Sequence, residues 1–156
     1  ISVARQLLTL FDDAGRVLRE YRVSTGRAGV GEVFGSFQTP RGRHLIRAKI
    51  GAGAAENTIF VRRRPTGEAW SAAFEREHPG RDWILTRILW LSGCEPGRNR
   101  LGHVDTMRRY IYIHGTSEHV EMGTPGSHGC IRMRNADIVE LFDLVPAYTP
   151  VEISED

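Results

Sequence analysis

The sequence is poor in cysteine, lysine and long hydrophobic runs, and each scarcity excludes a class of protein. The 156 residues contain two cysteines, Cys94 and Cys130, so neither a disulfide framework nor a CxxC metal or redox motif is available. No apolar run approaches the ~20 residues of a membrane-spanning helix. The first residues lack the basic leader and apolar stretch of a signal peptide. Because residue 1 is Ile1 and not Met, we interpret the chain as a processed or trimmed product.

The positive charges are almost all arginines, since Lys49 is the only lysine among 21 basic residues. Arginine binds carboxylates and phosphates bidentately, which suits an anionic substrate. Codon bias in a GC-rich genome explains the same composition. A net charge of +2 is too small to indicate a nucleic-acid partner. The run Arg62-Arg63-Arg64, next to Pro65, is interpreted as a solvated turn.

The hydrophobic pattern predicts one mainly β domain over residues 1–156, with a single helix in its C-terminal half. Apolar or alternating segments between turn residues predict strands over residues 6–11, 17–23, 44–50, 58–61, 83–91, 110–113 and 151–153. The first two form a hairpin around the turn at 12–15, and segment 83–91 is a buried central strand. Residues 24–35 and 95–102 are predicted loops.

The helix is predicted over residues 136–145, where apolar side chains recur at spacings of three and four: Ile138, Leu141, Phe142, Val145. Asn135 supplies an N-cap and Asp137 suits the positive end of the helix dipole. Pro146 ends the helix.

The densest chemical feature is the segment from Ser127 to Arg132, which contains His128, Gly129 and Cys130. A cysteine thiol becomes a nucleophile when a nearby imidazole takes its proton. His114 ends a predicted strand 16 positions before Cys130, and the intervening glycines and proline allow the chain to return beside it. Gly129 permits a tight turn whose N–H groups converge and stabilise an oxyanion. These residues predict a cysteine acyltransferase or hydrolase.

Two other interpretations of the same residues stay open at this point. A lone cysteine between small residues is often a buried filler, and a histidine near it is often a satisfied core group. Histidines 103, 114, 119 and 128 could join Cys130 as zinc ligands, but no HExxH or other compact ligand pair occurs. We therefore predict no metal.

The order of motifs resembles the L,D-transpeptidase catalytic domains (YkuD-like). His114 followed by Ser127-His128-Gly129-Cys130 is similar to the family's active-site signature. Further blocks occur in the family's order and extend the resemblance from about residue 24 to 142: Ser24–Gly26, Thr39–Gly42, Ile84–Arg87, Tyr112–Thr116.

The resemblance implies an L,D-transpeptidase-like β-sandwich or barrel that acts on peptidoglycan stem peptides without a cofactor. Cys130 attacks the amide carbonyl of the third stem residue, D-Ala leaves, and the thioester passes to an amine. His114 is the general base, held by a backbone carbonyl, and the N–H groups of His128, Gly129 and Cys130 form the oxyanion hole. The family further implies a monomer, a periplasmic or extracytoplasmic location and inhibition by carbapenems.

Four residues are expected to bind substrate by the same resemblance: Tyr112, Gly115, Ser127, Arg132. Arg132 stands where many members of the family carry Asn, and it either binds a stem carboxylate or braces the loop; we favour the former. Ser127 and His128 are expected to shape the turn rather than transfer protons. The alternatives are a related cysteine peptidase or carboxypeptidase that uses water as acceptor, a non-catalytic peptidoglycan-binding module, and a nucleic-acid-binding protein suggested only by the arginines.

Overall fold

The computed structural model describes residues 1–156, and strands dominate it. The elements in chain order are β1 (Leu7–Phe11), β2 (Val17–Arg22), β3 (Gly42–Ile50), β4 (Thr58–Val61), β5 (Arg64–Ala69), α1 (Ala72–Glu77), β6 (Leu85–Gly93), a 3-10 turn (Gly102–Val104), β7 (Tyr112–Gly115), β8 (Ile131–Met133), α2 (Asn135–Leu144) and β9 (Pro150–Ile153). None of the helices has the length and apolar character needed to span a membrane. The predicted mainly β class is confirmed.

One seven-stranded sheet organises the molecule, and β1 and β2 form a separate hairpin. The sheet has the order β5-β4-β6-β3-β9, while β7 pairs with β6 and then with β8. Strands β7 and β8 run parallel, with Ile113 opposite Ile131 and His114 opposite Arg132. This register brings His114 beside the segment that directly follows Cys130.

The main hydrophobic core is a cluster of 15 buried residues contributed by the hairpin, the sheet and α2. Ile113 of β7 and Ile131 of β8 belong to it. Because successive side chains of a strand point to opposite faces, His114, Cys130 and Arg132 project away from this core. The alternation therefore places the candidate catalytic side chains together on one face.

Most predicted strands are confirmed, with shifted ends. The first two strands pair as a hairpin, with Leu8 opposite Tyr21. The central strand β6 starts at Leu85 rather than residue 83. Strand β7 starts at Tyr112 rather than residue 110, because Tyr110 has a φ of 57°, which interrupts an extended chain.

Three short elements were not predicted from the sequence: the strands β5 and β8 and the helix α1. Strand β5 is exposed along its whole length, so it shows no apolar alternation. Helix α1 has six residues, too few for a periodic pattern, and it is capped by the side chain of Ser71. Strand β8 has three residues and follows the cysteine directly. Each is too short or too polar for hydrophobic periodicity to mark it.

Arg62 and Arg63 form the turn between β4 and β5, as predicted, whereas Arg64 is the first residue of β5, and the Arg63 side chain is not simply solvated. Arg62 and Arg63 have positive φ angles of 49° and 65°. The Arg63 guanidinium lies 4.8 Å from the ring centre of Trp90 and 4.7 Å from that of Tyr110. These cation–π contacts hold the tip of the β4–β5 hairpin against β6.

The predicted N-cap role of Asn135 is wrong. Arg134 occupies the N-cap position without a capping side-chain hydrogen bond, and α2 begins at Asn135. The Asn135 side-chain amide instead makes hydrogen bonds to residues outside the helix. Its Oδ1 accepts from the Thr86 hydroxyl at 2.7 Å, and its Nδ2 donates to the Thr116 carbonyl at 3.0 Å. These contacts tie α2 to β6 and to the end of β7.

A second histidine, His44, is buried in the sheet and makes the stability of the protein depend on pH. Its ring nitrogens lie 2.9 Å from the Gly42 carbonyl and 2.9 Å from the Thr106 hydroxyl. Burial lowers the pKa of His44 from 6.5 to about 4. Between these values the unfolded chain binds a proton that folded His44 does not. We expect the free energy of unfolding to fall by about 3 kcal/mol as pH drops through this window.

Urea unfolding at several pH values from 7.5 to 4 measures this dependence. The variant His44→Gln keeps polar atoms near Thr106 but does not titrate, so it should be less stable at pH 7 and show a flatter pH dependence. An equal slope in the two proteins would contradict the assignment to His44.

Candidate active site

Cys130 lies in a groove of about 620 Å³ on the face of the sheet opposite the main core. The Tyr112 N–H donates to its Sγ at 3.3 Å, and the thiol donates to the Tyr110 carbonyl at 3.4 Å. Burial raises the pKa of the Cys130 thiol to about 12, an effect that the Tyr112 N–H opposes. At neutral pH the group is therefore a thiol and not a thiolate.

His114 is fully buried, and its hydrogen bonding fixes its tautomer. The Nδ1–H donates to the Gly115 carbonyl at 2.6 Å, because a carbonyl only accepts. In the neutral ring the Nε2 atom then carries the free lone pair, and it has no hydrogen-bond partner. Burial lowers the pKa of His114 below its usual 6.5. His114 is thus a neutral imidazole with an unused acceptor.

The turn before Cys130 depends on Gly129 and Ser127. Gly129 has a φ of 118°, and a Cβ at this position would lie 2.9 Å from the Gln38 carbonyl oxygen. The Ser127 hydroxyl accepts from the Gly129 N–H at 3.1 Å and donates to the Cys130 carbonyl at 2.5 Å. Ser127 therefore contacts the backbone of its own turn, and the Gly129 N–H is already engaged.

Two of the upstream motifs lie directly behind this turn. The Thr39 hydroxyl donates to the Gly129 carbonyl at 2.9 Å and accepts from the Gly26 N–H at 2.8 Å. The backbones of Ser24 and Arg132 exchange two hydrogen bonds, each of 2.9 Å. The separate motifs of the sequence thus converge to hold the loop that carries Cys130.

The four residues expected to bind substrate differ in position. Tyr112 lines the groove, and its hydroxyl accepts from Arg63 at 3.0 Å. Gly115 and Ser127 are buried. A Cβ at Gly115 would lie 2.6 Å from the Leu85 carbonyl oxygen, so this glycine allows a close packing of strands. In the structure, Gly115 and Ser127 therefore contact other residues of the protein.

Arg132 meets a carboxylate of the protein itself. Its Nη2 donates to Asp82 Oδ1 at 2.7 Å, and its side chain is 13% exposed. The Asp82 side chain is 31% exposed and lines the groove with Cys130. Sequence analysis missed Asp82, because no motif or spacing relates it to Arg132, 50 residues away.

The remaining lining of the groove combines aromatic and cationic side chains. Phe34 and Phe37 are 62% and 60% exposed, and the exposed His128 ring lies 5.4 Å from that of Phe37. Arg109 donates to the Gln38 carbonyl at 2.6 Å. Phe34, Phe37 and Arg109 were not singled out in the sequence, since exposed aromatics and arginines in loops carry no periodic signal.

Cys94 lies apart from this groove. It is a free thiol, as is Cys130, and it lines a different cavity of about 710 Å³ beside β1, β3 and β9. Nowhere in the chain do three or more His, Cys, Asp or Glu side chains come together in a way that could hold a metal ion.

Comparison with known proteins gives concordant matches. A family model described as the L,D-transpeptidase catalytic domain matches residues 1–153. The probable L,D-transpeptidase ErfK/SrfK of Escherichia coli (strain K12) is 51% identical over 102 residues, which are 58% of this chain and 33% of that protein. The probable L,D-transpeptidase YbiS of the same strain is 44% identical over 99 residues, 56% of this chain and 32% of that protein. The chain spans about a third of the length of these relatives.

Solved structures share the fold at low sequence identity. L,D-transpeptidase 3 from Mycobacterium tuberculosis aligns with a TM-score of 0.58 and 18% identity over 99% of this chain and 59% of that chain. The L,D-transpeptidase LdtMt1, solved in complex with imipenem, aligns with a TM-score of 0.55 and 20% identity over 98% of this chain and 56% of that chain.

Proposed function

The chain belongs to the family of L,D-transpeptidase catalytic domains, and from this membership we propose that it is a peptidoglycan L,D-transpeptidase with Cys130 as its nucleophile. The observation that carries the proposal is the placement of Cys130 in an open groove, on the same face of the β7–β8 pair as a buried histidine with a free lone pair. We further propose that residues 1–156 act as one catalytic domain and as a monomer.

The proposed reaction begins with a neutral pair. Because the pKa of Cys130 is raised and that of His114 is lowered by burial, the thiol and imidazole are both uncharged at neutral pH. Sγ is held by Tyr112 and by the Tyr110 carbonyl, so it must turn toward Nε2 for the transfer. Proton transfer to His114 then accompanies attack of sulfur on the carbonyl.

In the acylation step, Sγ bonds to the amide carbonyl carbon on the L-centre of the third stem residue. The carbonyl oxygen becomes an oxyanion, which we assign to the N–H groups of His128 and Cys130, since that of Gly129 donates to Ser127. The C–N bond to D-Ala then breaks, and His114 returns the proton to the leaving amine. An acceptor amine attacks the thioester and regenerates the thiol, with no cofactor.

The groove suits a peptide with free carboxylates. Arg62, Arg63 and Arg109 line it together with a single acidic side chain, Asp82. Stem peptides carry carboxylates, and these arginine side chains attract them. Such a substrate implies an extracytoplasmic location, and the reactive thiol implies acylation by carbapenems.

The products formed from a purified stem tetrapeptide test the proposal. We expect mass spectrometry to show a cross-linked dimer, together with free D-Ala. Tripeptide without dimer would favour the hydrolase, in which water resolves the thioester. Unchanged tetrapeptide, with a folded protein and a fresh thiol titre, would contradict both and favour a binding module.

A further inference from the structure

The ion pair between Asp82 and Arg132 lies beside both the candidate base and the candidate nucleophile. Arg132 Nη2 lies 2.7 Å from Asp82 Oδ1. Arg132 is the register partner of His114 across β7 and β8, and Asp82 lines the groove that contains Cys130. A role for Arg132 in bracing the loop accounts for its hydrogen bond. It does not account for the position of the Asp82 carboxylate in the groove that contains Cys130.

The base needs a counter-charge when it accepts a proton. His114 is fully buried, and its Nε2 has no hydrogen-bond partner. A proton on this atom creates an enclosed cation, which is costly without a nearby anion. The charged groups that act on His114 are Asp82, which favours the cation, and Arg132, which opposes it.

Asp82 is suited to remain ionised in this role. Partial burial disfavours its charge, but the charge of His114 in its protonated form, together with the hydrogen bond and charge of Arg132, outweighs that effect and lowers the pKa of Asp82. Among the charged groups that act on Cys130, Asp82 disfavours the thiolate, whereas Arg132 and Arg109 favour it. The carboxylate thus favours a protonated sulfur at rest and a protonated imidazole during reaction.

We propose that Asp82, oriented by Arg132, is a positioning residue that stabilises the imidazolium formed when His114 takes the proton of Cys130. The inference rests on the proposed function and deepens it. The proton moves from Sγ to Nε2 as the S–C bond forms, and it leaves Nε2 with the departing amine. Asp82 exchanges no proton and makes no bond to the substrate.

The test is the pH profile of acylation by a stem peptide in Asp82→Asn, made in a Cys94→Ala background. Loss of the negative charge should lower the plateau of kcat/KM by at least about tenfold. It should also move the acid limb to lower pH, because the His114 imidazolium is less stable. If the substitution only loosened the loop that carries Asp82, water would reach His114. The acid limb would then move upward, toward pH 6.5, because burial no longer lowers the pKa of His114.

A second measurement does not depend on the substrate assignment. The rate at which iodoacetamide alkylates Cys130 reports the fraction of thiolate. Because Asp82 disfavours the thiolate, the alkaline limb of the alkylation profile should move to lower pH in Asp82→Asn. Alkylation at pH 9 should then be severalfold faster. Asp82→Ser, with a smaller neutral side chain, should behave alike. Asp82→Glu should restore both profiles toward the parent. Glu140→Gln, which removes the carboxylate paired with Arg19 far from the groove, should change neither.

The outcomes separate the two proposals. A parent protein that does not acylate with stem peptide refutes the proposed function, and the alkylation profiles then decide the role of Asp82 alone. The inference is overturned if the acid limb of acylation and the alkaline limb of alkylation stay at the pH values of the parent protein, or shift upward, in the folded Asp82→Asn and Asp82→Ser variants.

Discussion

Replacement of Cys130 by alanine is expected to abolish peptide turnover and covalent labelling by a carbapenem. The thiol is the nucleophile of the proposed reaction, and removal of a nucleophile costs roughly 10⁴-fold or more in rate. The substitution removes one partly buried sulfur and its weak hydrogen bonds with Tyr110 and Tyr112, so the fold should persist. Intact-protein mass spectrometry after incubation with the inhibitor measures the adduct.

Cys94→Ala is the matched control, because the chain contains one other cysteine and both are free. Cys94 lines a cavity that does not include Cys130, so this variant should retain turnover and the adduct. An adduct lost in Cys94→Ala and kept in Cys130→Ala would show that the candidate site is the wrong one.

The second large effect is expected for His114→Ala, which removes the proton acceptor. General acid–base catalysis contributes roughly 10²–10⁴-fold, and kcat/KM should fall by this factor. Because burial lowers the pKa of His114, the neutral imidazole persists below pH 6.5. The acid limb of the unmodified protein should therefore lie below pH 6.5, and His114→Ala should lose it.

His128→Ala tests the other histidine of the motif. Its ring is exposed and contacts Phe37 at the mouth of the groove, and the variant keeps the backbone N–H proposed for the oxyanion. The loss of kcat/KM should be smaller than about tenfold, since only a packing contact disappears. A greater loss in folded His128→Ala than in folded His114→Ala would reverse the two assignments.

The strands that could be predicted are those whose sequences form apolar or alternating segments between turn residues. The hairpin of β1 and β2 was found from an apolar run and an alternating segment around a clear turn, and β4 was found as a short apolar segment after a loop. Strand β5 is exposed throughout and gives no such pattern. Asn135 has a residue type that caps helices, yet a bond to Thr86, 49 positions away, takes its side chain.

The sequence by itself determined the chemistry that the site offers and the family to which the chain belongs. The thiol of Cys130, the imidazole of His114 and the flexible Gly129 are adjacent to recognisable strand and turn patterns, so local spacing was enough to select them. Their order along the chain is also a property of the sequence.

Only the tertiary structure decided the pKa values of Cys130 and His114 and which distant carboxylate lies near them. The raised pKa of Cys130 and the lowered pKa of His114 follow from burial, which depends on packing of the whole sheet. The pairing of Arg132 with Asp82 spans 50 positions. A contact of that span is set by the parallel register of β7 and β8 and by the path of the chain before β6, and no local pattern encodes either.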